Sequence, residues 1–443
     1  MSLIDSNHKK FTLQRRIISV VFLLLTPYAW SAAHIENWQT EKGSRVYFVQ
    51  TDALPMVDIQ VVFDAGSARD GEQFGLSALT ANLLDTGAGD WNAEQIAQRF
   101  ESVGANFGAT SSIDTAGVTL RTLTDKPLFD KAIDTMRVIL SKPTFAESDF
   151  QREKNRTLAA LKQREESPAE LASMAFYQAV YGNHPYGHPN LGVLSTVEKF
   201  TPADTKNFYN TYFTASNAIV VMVGNLSKTD AEKTANLLVS DLPQGQKPAP
   251  LPDVPTLTKA TIQHLEFPST QTHVLVGLTG TYRKDPDYFP LYVGNHILGG
   301  GSLVSKLFDE VREKRGLAYS ASSAFMPLLK DGVFIASLQT RNDQTTQALN
   351  VLNQTLADFV KNGVTDTELN AAKNNIVGGF AMKFDTNKEL ANYVTMIGFY
   401  QMPLDYLDTF QQNVQNVTKE QIADAFKRRV DLTHLQTVTV GKK

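Results

Sequence analysis

Runs of apolar residues recur along the chain and predict strands that alternate with helices. Residues 57–63 (VDIQVVF) and 273–278 (HVLVGL) are strand-like runs that open two equivalent units. Thr201 and Thr418 are predicted helix N-caps, and Pro202 takes the first helical position after Thr201. The predicted order of elements in each unit is strand, helix, strand, paired helices and a closing strand. This order predicts an α+β fold in which helices pack on a mainly antiparallel sheet.

The second half of the chain repeats the first. Matching landmarks are separated by nearly constant intervals: 218 residues for Asp125 and Asp343, 219 for Lys154 and Lys373, and 217 for Gly224 and Gly441. A constant separation predicts two copies of one domain. The segment between them, residues 243–255, is rich in proline and predicts an extended, semi-rigid linker. We therefore expect homologous domains at 34–242 and 259–443, joined by a linker at 243–258.

The first 33 residues have the pattern of an export signal. Basic residues at 9–16 precede an apolar run at 17–25, and small residues that suit signal cleavage end at Ala33. The apolar run is too short for a permanent bilayer span, so no stable membrane anchor is expected. We expect cleavage near Ala33 and a periplasmic location.

Composition and net charge exclude several classes of function. The chain has 443 residues, 20% of them charged, which is ordinary for a soluble globular protein of two or more domains. Its net charge of −4, without basic clusters, gives no reason to expect nucleic acid as a partner. The absence of cysteine excludes disulfides and thiol catalysis, which suits an oxidising compartment.

Residues 74–82 (FGLSALTAN) have the frame of a zinc-peptidase helix without its chemistry. The segment resembles the G-x-A-H-x-x-E-H motif of the pitrilysin/insulinase family, in which two histidines hold zinc and the glutamate is the general base. Those positions are Ala78, Ala81 and Asn82 here, and the family's later glutamate ligand falls at Ala160. Three methyl groups and one amide cannot form the ligand set of a catalytic zinc. We therefore expect no metal and no cofactor in this chain.

The surroundings of the vacant motif are similar to the family pattern. Residues 96–115 match the run I-x-x-x-x-E-x-x-G-G-x-x-N-A-x-T-x-x-D-x-T at most positions. One departure is Gly108, which replaces the asparagine that lines the substrate edge in this family. The resemblance implies two domains that together form a half-clamshell.

Residues 298–320 closely match the family's second signature, a Gly-rich turn and a helix followed by R-E-K-R-G-L-A-Y-S. The resemblance implies that Arg312 and Tyr319 face a zinc site across a chamber and hydrogen-bond the substrate backbone beside the scissile carbonyl. A guanidinium and a phenol can both donate to a developing oxyanion.

Simpler interpretations exist for each of these features. The turn at 299–302 is predicted to be structural, because no Gly-Lys-Ser/Thr sequence for phosphate follows. Without the family pattern, Arg312 is predicted to be a solvated charge and Tyr319 a half-buried strand residue. His184 and His188 lie four residues apart, but intervening Pro and Gly residues favour loop structure over a metal site.

The resemblance as a whole implies the non-catalytic subunit of a heterodimeric zinc metallopeptidase. The chain alone would hydrolyse no peptide, whereas a homologous H-x-x-E-H-containing partner would hold the zinc. Arg312 and Tyr319 would complete the site in trans on peptide substrates. The alternative is an inactive peptide-binding or structural scaffold, which has no need to keep that pair. A lone peptidase with other ligands is disfavoured, because no other His/Glu cluster has zinc spacing.

Overall fold

Two mainly antiparallel sheets form the framework of residues 34–443, the part of the chain that this computed structural model describes. The predicted signal peptide and its cleavage near Ala33 lie outside the described residues. The strands are β1 (Glu36–Gln39), β2 (Arg45–Gln50), β3 (Met56–Phe63), β4 (Gly87–Ala88), β5 (Trp91–Asn92), β6 (Asn106–Ser111), β7 (Ala116–Leu123), β8 (Ala218–Gly224), β9 (Thr261–Glu266), β10 (Gln271–Thr279), β11 (Ala318–Met326), β12 (Val333–Arg341) and β13 (Gln436–Gly441).

Helices cover these sheets and fill the connections between strands. They are α1 (Leu76–Asn82), α2 (Ala93–Glu101), α3 (Lys126–Ser141), α4 (Glu147–Glu165), α5 (Pro168–Tyr181), α6 (Leu194–Val197), α7 (Pro202–Tyr212), α8 (Lys228–Val239), α9 (Tyr288–Asn295), α10 (Lys306–Phe308), α11 (Thr345–Asn362), α12 (Asp366–Phe380), α13 (Asn387–Tyr400), α14 (Tyr406–Asn416) and α15 (Lys419–Arg429). Within residues 34–443, no helix combines the length and the apolar character needed to cross a bilayer.

The two sheets have related strand orders. The first is β1-β2-β8-β3-β7-β6 and the second is β11-β12-β10-β13-β9, with β4 and β5 forming a separate pair. Neighbours are antiparallel except β2 with β8 and β13 with β9. Such sheets bury one face under helices. The predicted α+β class, with helices on mainly antiparallel sheets in two copies, is confirmed.

The internal repeat is visible in the positions of the elements. Helices α5 and α13 are 219 residues apart at both ends, and α7 and α15 are 217 apart at both ends. The predicted starts of α7 after Thr201 and of α15 after Thr418 are confirmed. Thr418 accepts from the backbone N–H of Gln421 at 3.2 Å, and the Gln421 side chain accepts from the Thr418 N–H at 2.9 Å. This capping box fixes where α15 begins.

One helix of each copy packs on the sheet of the other copy. Helix α13 packs on β2, β3 and β8, whereas α5 packs on β10 and β13. The exchange requires glycine at the contacts: a Cβ at Gly398 would lie 2.6 Å from the ring of Tyr47, and one at Gly277 would lie 2.9 Å from the ring of Phe176. A larger residue would force the helix away from the sheet. Buried residues of the two copies therefore share common clusters, although one large cluster belongs to the first copy alone.

Asp114 ties the copies together at one buried point. Its carboxylate accepts from the hydroxyls of Tyr186 at 2.8 Å and Tyr400 at 2.9 Å, and from the backbone N–H of Leu329 at 2.9 Å. Burial raises the pKa of Asp114, and these hydrogen bonds oppose the rise. Since Tyr400 ends α13, the network also holds the exchanged helix in place.

Residues 243–258 run without helix or strand between α8 and β9. The segment is nonetheless attached to both copies, since Arg69 donates to the carbonyl of Ala249 at 2.6 Å and Leu251 is buried in a cluster with residues of each copy. The first sheet takes its strands from residues before this segment and the second from residues after it. The domain boundaries at 34–242 and 259–443 remain predictions.

Candidate functional site

Helix α1 carries the positions at which the zinc motif is replaced. Its first turn is held by Asp70, whose carboxylate accepts from the N–H groups of Gly75 at 2.7 Å and Ser77 at 2.8 Å. Ala78 and Ala81 face inward and are 4% and 0% exposed, whereas Asn82 is exposed. The helix packs against α4, α7, β6 and β7. The small alanine side chains are thus part of the packed interior of the first copy.

The position of the third family ligand is Ala160, on the exposed side of α4. The methyl groups of Ala78, Ala81 and Ala160 offer no lone pair to a metal, and Asn82 offers only a neutral amide. Within residues 34–443, no group of three or more His, Cys, Asp or Glu side chains is arranged to hold a metal ion. A catalytic zinc therefore does not fit the residues at this site.

Two carboxylates remain beside the vacant positions. Glu153 on α4 is 8% exposed and lies 3.5 Å from Arg152 and 3.6 Å from Arg156. Burial raises the pKa of Asp85, and the charge of Glu153 adds to the rise. Two carboxylates without histidine fall short of a catalytic zinc site.

Arg312 and Tyr319 are brought together at the edge of the second sheet. Arg312 lies in a π-helical turn (Asp309–Glu313), and Tyr319 is the second residue of edge strand β11. The Nη1 of Arg312 donates to the backbone carbonyl of Tyr319 at 2.9 Å. The guanidinium carbon also lies 4.4 Å from the centroid of the Tyr319 ring. The pair is therefore a preformed unit, held by a hydrogen bond and by cation–π attraction.

Phe308 completes this unit and was missed by the sequence analysis. The residue is 6% exposed, and the centroid of its ring lies 4.9 Å from the guanidinium carbon of Arg312. The available signal was spacing, because residues four apart on a helix are neighbours. The guanidinium of Arg312 thus contacts two rings, and its side chain is 34% exposed.

Tyr319 points outward from this support. The residue is 80% exposed, far more than the half-buried strand residue of the simpler interpretation. Its hydroxyl is accessible and can donate to a group outside the chain. The arrangement presents one fixed cation and one free phenol at the same edge.

The neighbouring charges form a separate cluster. Glu310 accepts from Lys314 and Arg315, both at 2.6 Å. These hydrogen bonds lower the pKa of Glu310 and neutralise its partners. Arg315 is therefore hydrogen-bonded to Glu310, whereas Arg312 has only a longer contact of 3.8 Å with a carboxylate, that of Glu313.

The remaining candidates have structural roles. His184 Nδ1 accepts from the Tyr186 N–H at 3.2 Å, and its Nε2 lies 3.1 Å from the carbonyl of Pro252. The His188 ring stacks on Phe74 with 4.3 Å between centroids. Burial lowers the pKa of both histidines. In the turn at 299–302, the N–H of Gly301 donates to the carbonyl of His296 at 2.8 Å.

Comparison with known proteins gives one family for both halves. The insulinase (peptidase family M16) model matches residues 45–193, and the model of the peptidase M16 inactive domain matches residues 199–376. The non-peptidase homolog YmxG of Helicobacter pylori is 27% identical over 403 residues, covering 90% of this chain and 92% of the relative. An uncharacterized zinc protease of Bacillus subtilis, also YmxG, is 25% identical over 364 residues, covering 81% and 86%.

A solved structure agrees with both the sequence and the fold. The crystal structure of a peptidase M16 inactive domain from Pseudomonas fluorescens is 35% identical, with a TM-score of 0.89. The match covers 92% of this chain and 98% of that one. The chain therefore belongs to the insulinase (M16) peptidase family, and its relatives include proteins described as inactive or non-peptidase.

Proposed function

We propose that this chain is the non-catalytic subunit of a heterodimeric zinc metallopeptidase exported to the periplasm. Its partner is a homologous subunit that carries an intact H-x-x-E-H motif and holds the zinc. This chain supplies Arg312 and Tyr319 to the partner's site, where they bind the backbone of a peptide substrate. The loss of the ligand positions on α1 and α4 is then harmless, because the partner contributes that half of the site.

The observation that supports this proposal most is the construction of the Arg312 and Tyr319 pair. A tyrosine that is 80% exposed buries little area and contributes little to folding. Arg312 is nevertheless fixed against its ring and its carbonyl, at 4.4 Å and 2.9 Å. Rigid placement of an exposed donor is costly in side-chain entropy and is useful when the donor must meet a ligand.

The two side chains suit the stabilisation of negative charge on a peptide carbonyl oxygen. The Tyr319 hydroxyl donates one hydrogen bond from a rigid arm, and the Arg312 guanidinium adds a permanent positive charge beside it. Donors already oriented before the reaction stabilise a developing oxyanion strongly. In the proposed complex, Arg312 and Tyr319 orient the peptide, and water is activated at the partner's zinc.

A scaffold function is the competing proposal. The inactive and non-peptidase relatives fit a scaffold as well as a partner subunit. The two proposals differ in what they require of Arg312 and Tyr319, since a scaffold that binds or supports other chains has no use for an oxyanion donor.

Co-expression with an exported homologue that has an intact H-x-x-E-H motif tests the proposal. We expect one heterodimer on gel filtration, with a buried area of roughly 2,000 Å² or more. In that complex, Tyr319→Phe removes one hydrogen bond and keeps the ring, so peptidase activity should fall by about 10²-fold. Zinc content and assembly should not change.

Two arginine variants provide the matched comparison. Arg312→Lys loses the planar fork of donors, so we expect a clear loss of activity. Arg315→Lys is the control, because that side chain is engaged with Glu310, and activity should stay near wild type. Full activity in both the Tyr319→Phe and Arg312→Lys complexes would reclassify the chain as a scaffold. Separate monomers on gel filtration would contradict the heterodimer itself.

A further inference from the structure

A cavity of about 820 Å³ lies where the second copy meets the β6–β7 loop of the first. Its wall comes from α9, β11 and α12, together with Ile113 of that loop. These second-copy elements correspond to α1, β6 and α4 by their order along the repeat. The cavity therefore occupies, in the second copy, the place that the zinc motif takes in the first. Its volume lies in the range of sites for small organic ligands.

The ionisable side chains around this cavity, tyrosines aside, are basic. Arg283, His296 and Lys383 line it, and no aspartate or glutamate belongs to its lining within residues 34–443. Arg283 and Lys383 also line an adjoining pocket of about 410 Å³, whose described lining is likewise free of carboxylates. A cavity with positive groups and no acidic side chain favours an anionic ligand.

The two permanent cations contact aromatic rings instead of carboxylates. Lys383 Nζ donates to the hydroxyl of Tyr292 at 2.9 Å, and the Arg283 guanidinium carbon lies 5.4 Å from the centroid of Tyr400. Neither forms an ion pair of 4.0 Å or less within residues 34–443. In contrast, Arg428 and Arg429 of α15 each form an ion pair with an aspartate. Their positive charge is therefore available to a ligand.

Buried polar atoms in the wall also lack partners. Arg283 Nε and His296 Nε2 are buried and make no hydrogen bond within residues 34–443. Unpaired buried donors and acceptors destabilise a protein unless a ligand or water satisfies them. Burial lowers the pKa of His296, and the charge of Lys383 lowers it further, so this imidazole is neutral at pH 7. Although burial opposes it, the hydrogen bond to Tyr292 raises the pKa of Lys383, which stays charged.

We propose that this cavity binds a ligand with a terminal carboxylate and an apolar or aromatic body. The carboxylate meets Arg283 and Lys383, and the body lies against the rings of Tyr288, Tyr292 and Tyr400, which line both pockets. Two sources carry this chemistry: the C-terminus of a peptide and a free aromatic acid. Arg312 and Tyr319 are not part of the lining, so the proposal stands independently of a partner subunit.

Calorimetry on the isolated chain tests the proposal with three probes. These are the tripeptide alanyl-alanyl-phenylalanine as the free acid, the same tripeptide as the C-terminal amide, and phenylacetate. We expect the free acid to bind at least about tenfold more tightly than the amide, because the amide has lost the charged hydrogen bonds. If phenylacetate binds and the tripeptide free acid does not, the site is supported and its ligand is a free aromatic acid. Equal binding of acid and amide, or binding of neither acid, would overturn the proposal.

Variants locate the binding site. Lys383→Met and Arg283→Met should each weaken binding of the acid by about tenfold, since each removes one charged donor. Lys388→Met is the control, because Lys388 is exposed and outside the cavity lining, and binding should be unchanged. Thermal unfolding checks that each variant is folded. Unchanged binding in both Lys383→Met and Arg283→Met would overturn the assignment, even if Arg283→Met alone proved unstable.

Discussion

Helix α1 in the first copy and helix α9 in the second occupy equivalent places and have opposite surroundings. Around α1, the replaced ligand positions Ala78 and Ala81 are 4% and 0% exposed and pack into the interior. Helix α9 continues into a π-helical turn (His296–Gly300) and borders a cavity of about 820 Å³ lined by basic and phenolic side chains. π-helical turns are frequent at functional sites.

The difference also extends to how each helix is anchored. Asp70 holds the start of α1 through backbone N–H groups, whereas Asp287 before α9 accepts from Arg428 at 2.7 Å and Arg429 at 2.9 Å. The first copy has a packed helix without zinc-binding side chains. The second keeps accessible polar groups, among them the Arg312 and Tyr319 pair. Repeats that share one fold can thus diverge at a single equivalent position, because function depends on the site and not on the fold.

The largest effect expected from this comparison is on the zinc content of the purified chain. Because the positions of Ala78, Ala81, Asn82 and Ala160 provide no zinc ligand set, we expect far less than one zinc per chain and no hydrolysis of peptides. Elemental analysis and a peptidase assay measure both. The zinc-bearing homologue, purified in the same buffer, is the positive control. One tightly held zinc per chain, lost on mutation of residues outside the vacant motif, would show that the chain has a zinc site elsewhere and would contradict this prediction.

A second test asks how strongly the exchanged helix α5 joins the copies. Phe176 is 0% exposed and meets β10 at Gly277, so Phe176→Ala should leave a cavity and lower the free energy of unfolding by about 3–5 kcal/mol. Chemical denaturation measures the loss. Gln178→Ala, on the exposed side of the same helix, is the control and should change stability by roughly 0.5 kcal/mol or less. A cost below about 1 kcal/mol for Phe176→Ala would mean that α5 is not part of the common core.

The smallest expected effect concerns the ion pairs that anchor α9. Hydrogen bonds from Arg428 hold the pKa of Asp287 below its usual 3.8, and burial opposes them. Asp287→Asn should lower the free energy of unfolding by about 1–2 kcal/mol at pH 7. Because the folded-state pKa lies below the unfolded value, this contribution is present above pH 3.8 and is lost as the pH falls through the folded pKa.

Denaturation of both proteins at several pH values checks this sign. The difference between wild type and Asp287→Asn should shrink as the pH is lowered from neutral toward the folded-state pKa. Asp424→Asn is the control, since Asp424 is 65% exposed and its pair with Arg428 should contribute little. A difference that grows in acid would contradict the assignment.

The sequence by itself determined the features that depend on local pattern. The constant separation of landmarks predicted two copies, and the positions of Thr201 and Thr418 predicted helix starts that the structure confirms. The replaced residues of the zinc motif could be read directly, because ligand chemistry depends on residue type and spacing. The resemblance of residues 298–320 to the family's second signature marked Arg312 and Tyr319, without the geometry of the pair.

Only the tertiary structure decided how distant segments meet. The exchange of α5 and α13 joins residues more than a hundred positions apart, such as Gly398 and Tyr47, and no local periodicity encodes that contact. The cavity likewise gathers Arg283, His296 and Lys383 from separate segments, and none of these three residues belongs to a motif identified in the sequence. Side-chain chemistry is a property of each residue, but burial, charge pairing and shared space are properties of the packed chain, so they appear only when the copies come together.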